Sequence, residues 1–179
     1  PNVQFITTEP YSHLAKYTAG SAPIFKCPAD NELSAPQRKA GWTGRVRSLS
    51  GNIGIGDGNA ETGPWVGSMY KHIMIQSEMI FPGPSETWVY LDEHPDSIND
   101  AGFFNPDNQR WIDLPASYHN NAGGLAFADG HSEIKKWKSS VPTPVTGRTA
   151  FSGKTTGPND IDIAWLSYHG GRRSPDYFD

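Results

Sequence analysis

Residues 118–137 read YHNNAGGLAFADGHSEIKKW, and this stretch predicts a β-hairpin. The small and apolar residues at 123–127 suit a buried strand, and the mixed polar and apolar residues at 131–137 suit a half-solvated one. Between them stands Asp129-Gly130, a tight-turn dipeptide, because glycine tolerates the positive φ that such turns require. We therefore expect two antiparallel strands joined at Asp129-Gly130.

The best second strand is residues 87–91, TWVYL, which are β-branched or aromatic. We expect it to be a buried central strand of the sheet. Polar side chains follow this strand directly, and other polar side chains flank the first strand of the hairpin. If the two strands are neighbours, six ligand side chains converge at one end of the sheet: Asp92, Glu93, His94, His119, Asp129 and His131.

Imidazole with carboxylate suits a transition metal such as zinc, manganese, iron or nickel, and an all-oxygen subset suits calcium. The sequence thus predicts a divalent metal at this sheet end. A metal-free alternative stays open, in which Asp129 bonds the turn backbone and His119 bonds Asp92 or Glu93. If the site is catalytic, Glu93, His119 and Asp129 are the candidates, with Glu93 as general base on a metal-bound water.

A weaker second metal site is indicated by the oxygen side chains of Asp57, Asn59 and Glu61, which stand at alternate positions in a Gly- and Asn-rich stretch. The distant bidentate glutamate of an EF-hand does not follow them. A solvated Asx-turn explains the same residues without any ion. We interpret residues 48–64, which include these positions, as a loop.

Composition predicts a single domain over residues 1–179 that is rich in loops. The 19 glycines and 15 prolines favour loops, while six Trp, seven Tyr and eight Phe supply a core. Residues 12–17 predict a short helix, and residues 160–168 predict a short helix or a turn. Cys27 is the one cysteine, so no intrachain disulfide forms, and nothing in the sequence places a histidine beside it.

The net charge of −4 and the short basic runs argue against a nucleic-acid partner, which requires a clustered basic face. No apolar run in the sequence approaches the roughly 20 residues of a membrane span. The six tryptophans could form a polysaccharide-binding platform if several were exposed, although a core position is the commoner use of such residues.

Several segments carry a family likeness in a consistent order. They are FKCPAD (25–30), RSLSGN (47–52), PSETWVYLDE (84–93), His119 with Asp129-Gly130-His131, and DIDIAWL (160–166). In these segments the chain resembles the prepilin-like, type II secretion pseudopilin-like proteins with a C-terminal H-x9-D-G domain, here about residues 84–168. Leu49 stands where the family pattern usually has an aromatic residue.

The resemblance implies an α+β fold, a loop-rich pseudopilin-like head around a small antiparallel sheet. It also implies a location at the cell envelope, in the periplasm or outside the cell. Family members begin with a cleavage and methylation site and a hydrophobic helix, which residues 1–179 do not contain. The resemblance therefore implies a head domain that would meet a membrane only through that missing helix. Its implied partners are like subunits or secretion-system proteins.

Two function classes follow. In the first, the chain is a structural or interaction subunit of a pilus-like or type II secretion-associated assembly, with a metal as a stabilising addition. In the second, it is a secreted metal-dependent hydrolase or lyase that acts on polysaccharide through the His/Asp/Glu cluster.

Overall fold

The structure is a computed structural model, and it describes residues 2–56, 70–107, 109–139, 153–156 and 159–172. Within these residues the protein is α+β, as predicted. The α-helices are α1 (Gln4–Thr7), α2 (Ala35–Lys39) and α3 (Ile161–His169), and two 3₁₀ helices span Ala22–Phe25 and Gln76–Glu78. The strands are β1 (Leu49–Asn52), β2 (Trp88–Asp92), β3 (Gly102–Phe103), β4 (Arg110–Trp111), β5 (Ala122–Phe127), β6 (Ser132–Lys136) and β7 (Lys154–Thr155).

Five strands form the main sheet in the order β3-β1-β2-β5-β6, and β4 pairs with β7 in a separate two-stranded sheet. The central position of β2 confirms the expectation from its aromatic and β-branched sequence. β1 lies antiparallel to β2, β2 to β5 and β5 to β6, whereas β1 and β3 are parallel, so the sheet is mixed. The predicted hairpin is β5 and β6, with Gly130 at a φ of 95° in the turn.

One face of the sheet packs against α3. The ten buried residues of this core are Trp88, Leu91, Phe103, Trp111, Leu114, Leu125, Phe127, Trp137, Ile163 and Leu166. The helix begins at its N-cap Asp160, whose carboxylate accepts hydrogen bonds from the N–H groups of Asp162 (3.0 Å) and Ile163 (3.2 Å). Trp88, Trp111 and Trp137 are thus core residues, as expected of most tryptophans here.

Two local expectations are wrong. Residues 12–17 form turns rather than a helix, and residues Ala19 and Gly20 directly after them adopt positive φ, which ends right-handed helical structure. Residues 49–52, expected in a loop, form β1, because pairing with both β2 and β3 outweighs their low strand propensity. No helix among the described residues is long and apolar enough to cross a membrane.

Candidate functional site

Asp92 is the last residue of β2, and its buried carboxylate is held by the neighbouring strands. Oδ2 accepts a hydrogen bond of 3.2 Å from the backbone N–H of Gly124, and Oδ1 accepts one of 3.4 Å from the Ser48 hydroxyl. Burial raises the pKa of Asp92 above its ordinary value, and the Gly124 N–H offsets part of that effect. Two hydrogen-bond donors therefore fix the position of this carboxylate.

His119 lies in the turn before β5, and its side chain is exposed. Since β2 and β5 are antiparallel, with Leu91 opposite Leu125, the residues before β5 meet the end of β2. This register brings His119 to Asp92, in agreement with the expectation that the two strands are neighbours.

Cys27 completes the group, and the sequence interpretation did not include it. It follows the 3₁₀ helix Ala22–Phe25, and its backbone N–H donates a 2.7 Å hydrogen bond to the Ser48 hydroxyl. That bond brings the half-buried thiol to the sheet, where Sγ lies 3.4 Å from Nε2 of His119. One ligand atom each from Cys27, Asp92 and His119 lies within 4.8 Å of the others.

The surroundings of Cys27 do not activate its thiol as a nucleophile. A nucleophilic cysteine needs a lowered pKa, which a neighbouring cation or helix N-terminus supplies. Here burial raises the pKa of the Cys27 thiol, and the nearby Asp92 carboxylate raises it further, although the backbone N–H of Ala29 acts in the opposite direction. Thiolate, imidazole and carboxylate together form a donor set that suits zinc.

Glu93 and His94 do not join this group, although both were predicted to. Side chains alternate along a strand, so the Glu93 carboxyl points away from Asp92 into the protein. There it accepts hydrogen bonds from the hydroxyls of Ser97 (3.0 Å) and Ser50. His94 is fully buried, and its Nδ1 accepts a 3.1 Å hydrogen bond from the N–H of Asp96.

Burial raises the pKa of Glu93 to about 8, with a further contribution from Asp113. A side chain that is wholly enclosed cannot reach an external substrate. Glu93 is therefore a structural carboxyl group, and its predicted role as a general base at the hairpin site is not supported by its position.

Asp129 and His131 lie at the opposite end of the sheet, so the predicted convergence with His119 is wrong. The six residues of β5 separate them, a distance of roughly 20 Å at the usual rise per residue. Nδ1 of His131 and Oδ1 of Asp129 form an exposed hydrogen bond of 2.6 Å, and Oδ1 also accepts a 3.1 Å hydrogen bond from the backbone N–H of His131. These bonds hold the pKa of Asp129 below its ordinary value, with the backbone bond as the larger cause.

The metal-free interpretation of Asp129 as a turn residue thus agrees with its hydrogen bonds. The His131 ring also stacks on Phe127, with centroids 4.4 Å apart. The weaker candidate site of Asp57, Asn59 and Glu61 lies outside the described residues.

No match supplies a precedent for this geometry. No family model matches the chain, and no curated protein or solved structure is significantly similar to it. The site must therefore be interpreted from its own residues.

Proposed function

We propose that this chain is the globular head of a structural subunit in a pilus-like or type II secretion-associated assembly at the cell envelope. The ordered segments shared with prepilin-like proteins support this role. The solvent-facing side of the main sheet is the structural observation that adds support to this role.

That side of the sheet is lined by both apolar and polar residues, including Asp92. It presents Leu49, Tyr90, Ala126 and Ile134 along a shallow groove, and the Ile134 side chain is 61% exposed. The opposite side of the same sheet is sealed by α3 and the aromatic core. Tyr90 and Ile134 are the exposed large apolar side chains of this groove, and we assign the groove to contact with a like subunit of the assembly.

Two enclosed carboxyl groups have roles within the fold. Glu93 is enclosed in the protein and bonded to serine hydroxyls. Asp162 accepts bonds from the N–H groups of Lys138 (2.7 Å) and Ser139 (2.5 Å), which ties the end of the hairpin to α3. These carboxyl groups serve to join segments of the chain rather than to meet a substrate.

The variant Ile134→Asp tests this proposal, because it places a charge on the solvent-facing side of the sheet. Expressed from the complete gene, it should be depleted from the assembly several-fold, as measured by cross-linking and pull-down of neighbouring subunits. The matched control is Ile80→Asp, since Ile80 is 81% exposed away from this face. Equal incorporation of both variants, or a gene without a prepilin leader and hydrophobic helix upstream, would contradict the proposal.

A second candidate function is that of a secreted metal-dependent hydrolase or lyase that acts on polysaccharide. One observation favours it: the Cys27, Asp92 and His119 group includes an exposed histidine, so a metal held there would be open to solvent. The aromatic platform receives less support, since three tryptophans are buried and Trp165 has Lys135 at 4.4 Å and His169 at 4.1 Å from its ring.

Activity against a panel of glycans, with zinc or manganese added, distinguishes this second function. An enzyme acting through this group should lose turnover in His119→Ala and keep it in His131→Ala. Absence of turnover by the unaltered chain on every glycan would exclude the enzymatic proposal.

A further inference from the structure

Cys27, Asp92 and His119 come from three segments that are far apart in sequence. Cys27 follows a 3₁₀ helix, Asp92 ends a central strand, and His119 precedes the hairpin. Three different donor types, sulfur, oxygen and nitrogen, thus meet within 4.8 Å at one end of the sheet. Hydrogen bonds within a local turn do not bring such distant residues together. A shared metal ion would account for the grouping.

The spacing agrees with a tetrahedral ion. With Zn–S of about 2.3 Å and Zn–N of about 2.0 Å, a tetrahedral angle places sulfur and nitrogen about 3.5 Å apart. Sγ of Cys27 and Nε2 of His119 are 3.4 Å apart. The carboxylate is within 4.8 Å of both, and the exposed His119 side chain has room to adjust.

The surroundings orient these groups in the way that outer-shell partners orient metal ligands. The Ser48 hydroxyl accepts from the N–H of Cys27 and donates to Oδ1 of Asp92, so it joins two of the three ligand residues. Gly124 donates to Oδ2, and its lack of a side chain is required there. A Cβ at that position would lie only 2.9 Å from Oδ2.

We propose that Cys27, Asp92 and His119 bind one divalent cation of the zinc class, with the fourth coordination position open to solvent. The mixed sulfur, nitrogen and oxygen donors select zinc over calcium, which takes oxygen ligands. The ion would fasten the segment around Cys27 to the sheet. This site goes beyond the proposed assembly role and does not depend on it.

The competing explanation is a simple thiol–imidazole hydrogen bond, which 3.4 Å also permits. Cobalt(II) separates the two, because a thiolate bound to Co²⁺ gives a charge-transfer absorption in the near ultraviolet. Cys27 is the single cysteine of the chain, so any such band reports this residue. A hydrogen-bonded pair without metal affinity gives no band.

The experiment is a Co²⁺ titration of the metal-free, reduced 179-residue chain, followed by displacement with Zn²⁺. We expect a charge-transfer band that saturates at one equivalent and disappears when zinc is added. Cys27→Ser should abolish the band. His119→Ala should weaken binding more than about tenfold, since loss of even an outer-shell partner costs that much.

His131→Ala is the matched control, because His131 is also exposed but lies at the other end of the sheet. It should bind Co²⁺ as tightly as the unaltered chain. Circular dichroism confirms that each variant is folded, and the titration of the unaltered chain stands even if a variant does not fold. No thiolate band in the unaltered chain, or equal losses in His119→Ala and His131→Ala, would overturn the proposal.

Discussion

Asp92 and Glu93 are neighbours in sequence, yet their carboxyl groups belong to different environments. Asp92 lies at the end of the central strand beside Cys27 and His119, while Glu93 is enclosed among Ser50, Ser97 and Asp113. Strand alternation produces this division, because consecutive side chains point to opposite faces. At the scale of the residue, one carboxyl group is available to a ligand and the next is part of the interior.

The enclosed Glu93 predicts a pH-dependent stability. Its pKa rises from an ordinary 4.5 to about 8 in the folded protein, so the folded state keeps a proton that the unfolded chain releases. The free energy of unfolding should therefore fall as pH rises from about 4.5 to about 8 and then level off. The loss should be on the order of a few kcal/mol. Urea unfolding across this range, with chelator present, measures it.

The variant Glu93→Gln isolates this effect, because glutamine resembles the protonated carboxyl group and can still bond both serines. Asp113 also has a raised pKa, of about 6. Its ionisation therefore lowers the free energy of unfolding as well, but only at pH values up to about 6. Between pH values of about 6 and 8 the variant should show a much flatter dependence. An unchanged slope in this window would mean that Glu93 is already ionised in the folded protein.

At the scale of the element, β5 depends on two successive glycines. A Cβ on Gly123 would lie 2.7 Å from the backbone oxygen of Ala116, and one on Gly124 would lie 2.9 Å from Asp92. β5 therefore passes closer to the backbone of Ala116 and to the carboxylate of Asp92 than residues with a Cβ would allow. The same closeness lets the Gly124 N–H reach the Asp92 carboxylate, so the form of this element determines the site.

We expect Gly123→Ala to lower the free energy of unfolding by about 1–3 kcal/mol, because the backbone oxygen of Ala116 cannot move away as a side chain could. Chemical denaturation measures this change. The control is Gly83→Ala, where no atom lies within 4 Å of the added Cβ, and its effect should stay within about 0.5 kcal/mol. A stabilised Gly123→Ala protein would show that strand entropy outweighs the contact.

At the scale of the whole molecule, long connections are fastened to a small sheet by enclosed polar groups. Arg45 forms a two-point ion pair with Asp30, at 2.6 Å and 3.1 Å, and also donates to the carbonyl of Pro95 at 3.1 Å. The side chains are 9% and 0% exposed. One guanidinium thus joins the segment that carries Cys27 to the loop that follows β2.

Removing one partner should be costly, since the remaining charge stays buried. We expect Arg45→Met to lower the free energy of unfolding by about 3–5 kcal/mol, and the double variant with Asp30→Asn to recover part of that loss. Arg110→Met is the matched control, because its pair with Asp107 is 48% and 32% exposed and should contribute under about 1 kcal/mol. Equal losses from both arginines in urea unfolding would refute this role.

Local patterns were enough to predict β2 and the hairpin of β5 and β6, because β-branched and aromatic content and a turn dipeptide act over a few residues. For the residues of α3 they left a helix or a turn open. They also predicted that Asp92 and His119 would meet. β1 escaped prediction, since its Gly- and Asn-rich sequence becomes a strand only when both neighbours supply hydrogen bonds. The presence of Cys27 in the site was not predicted for a similar reason. A hydrogen bond from its backbone N–H to the distant Ser48 hydroxyl brings it there.

The sequence by itself determined the α+β class, the central strand, the hairpin with its turn, and the residue types able to bind a metal. The tertiary structure decided which of those residues share a site. It placed Cys27 beside Asp92 and His119, enclosed Glu93 and His94, and sent Asp129 and His131 to the far end of β5. The physical reason is direction. Nine residues lie between His119 and Asp129, and the six that form β5 hold these two residues at opposite ends of the strand, where contacts across the sheet determine the partners of each.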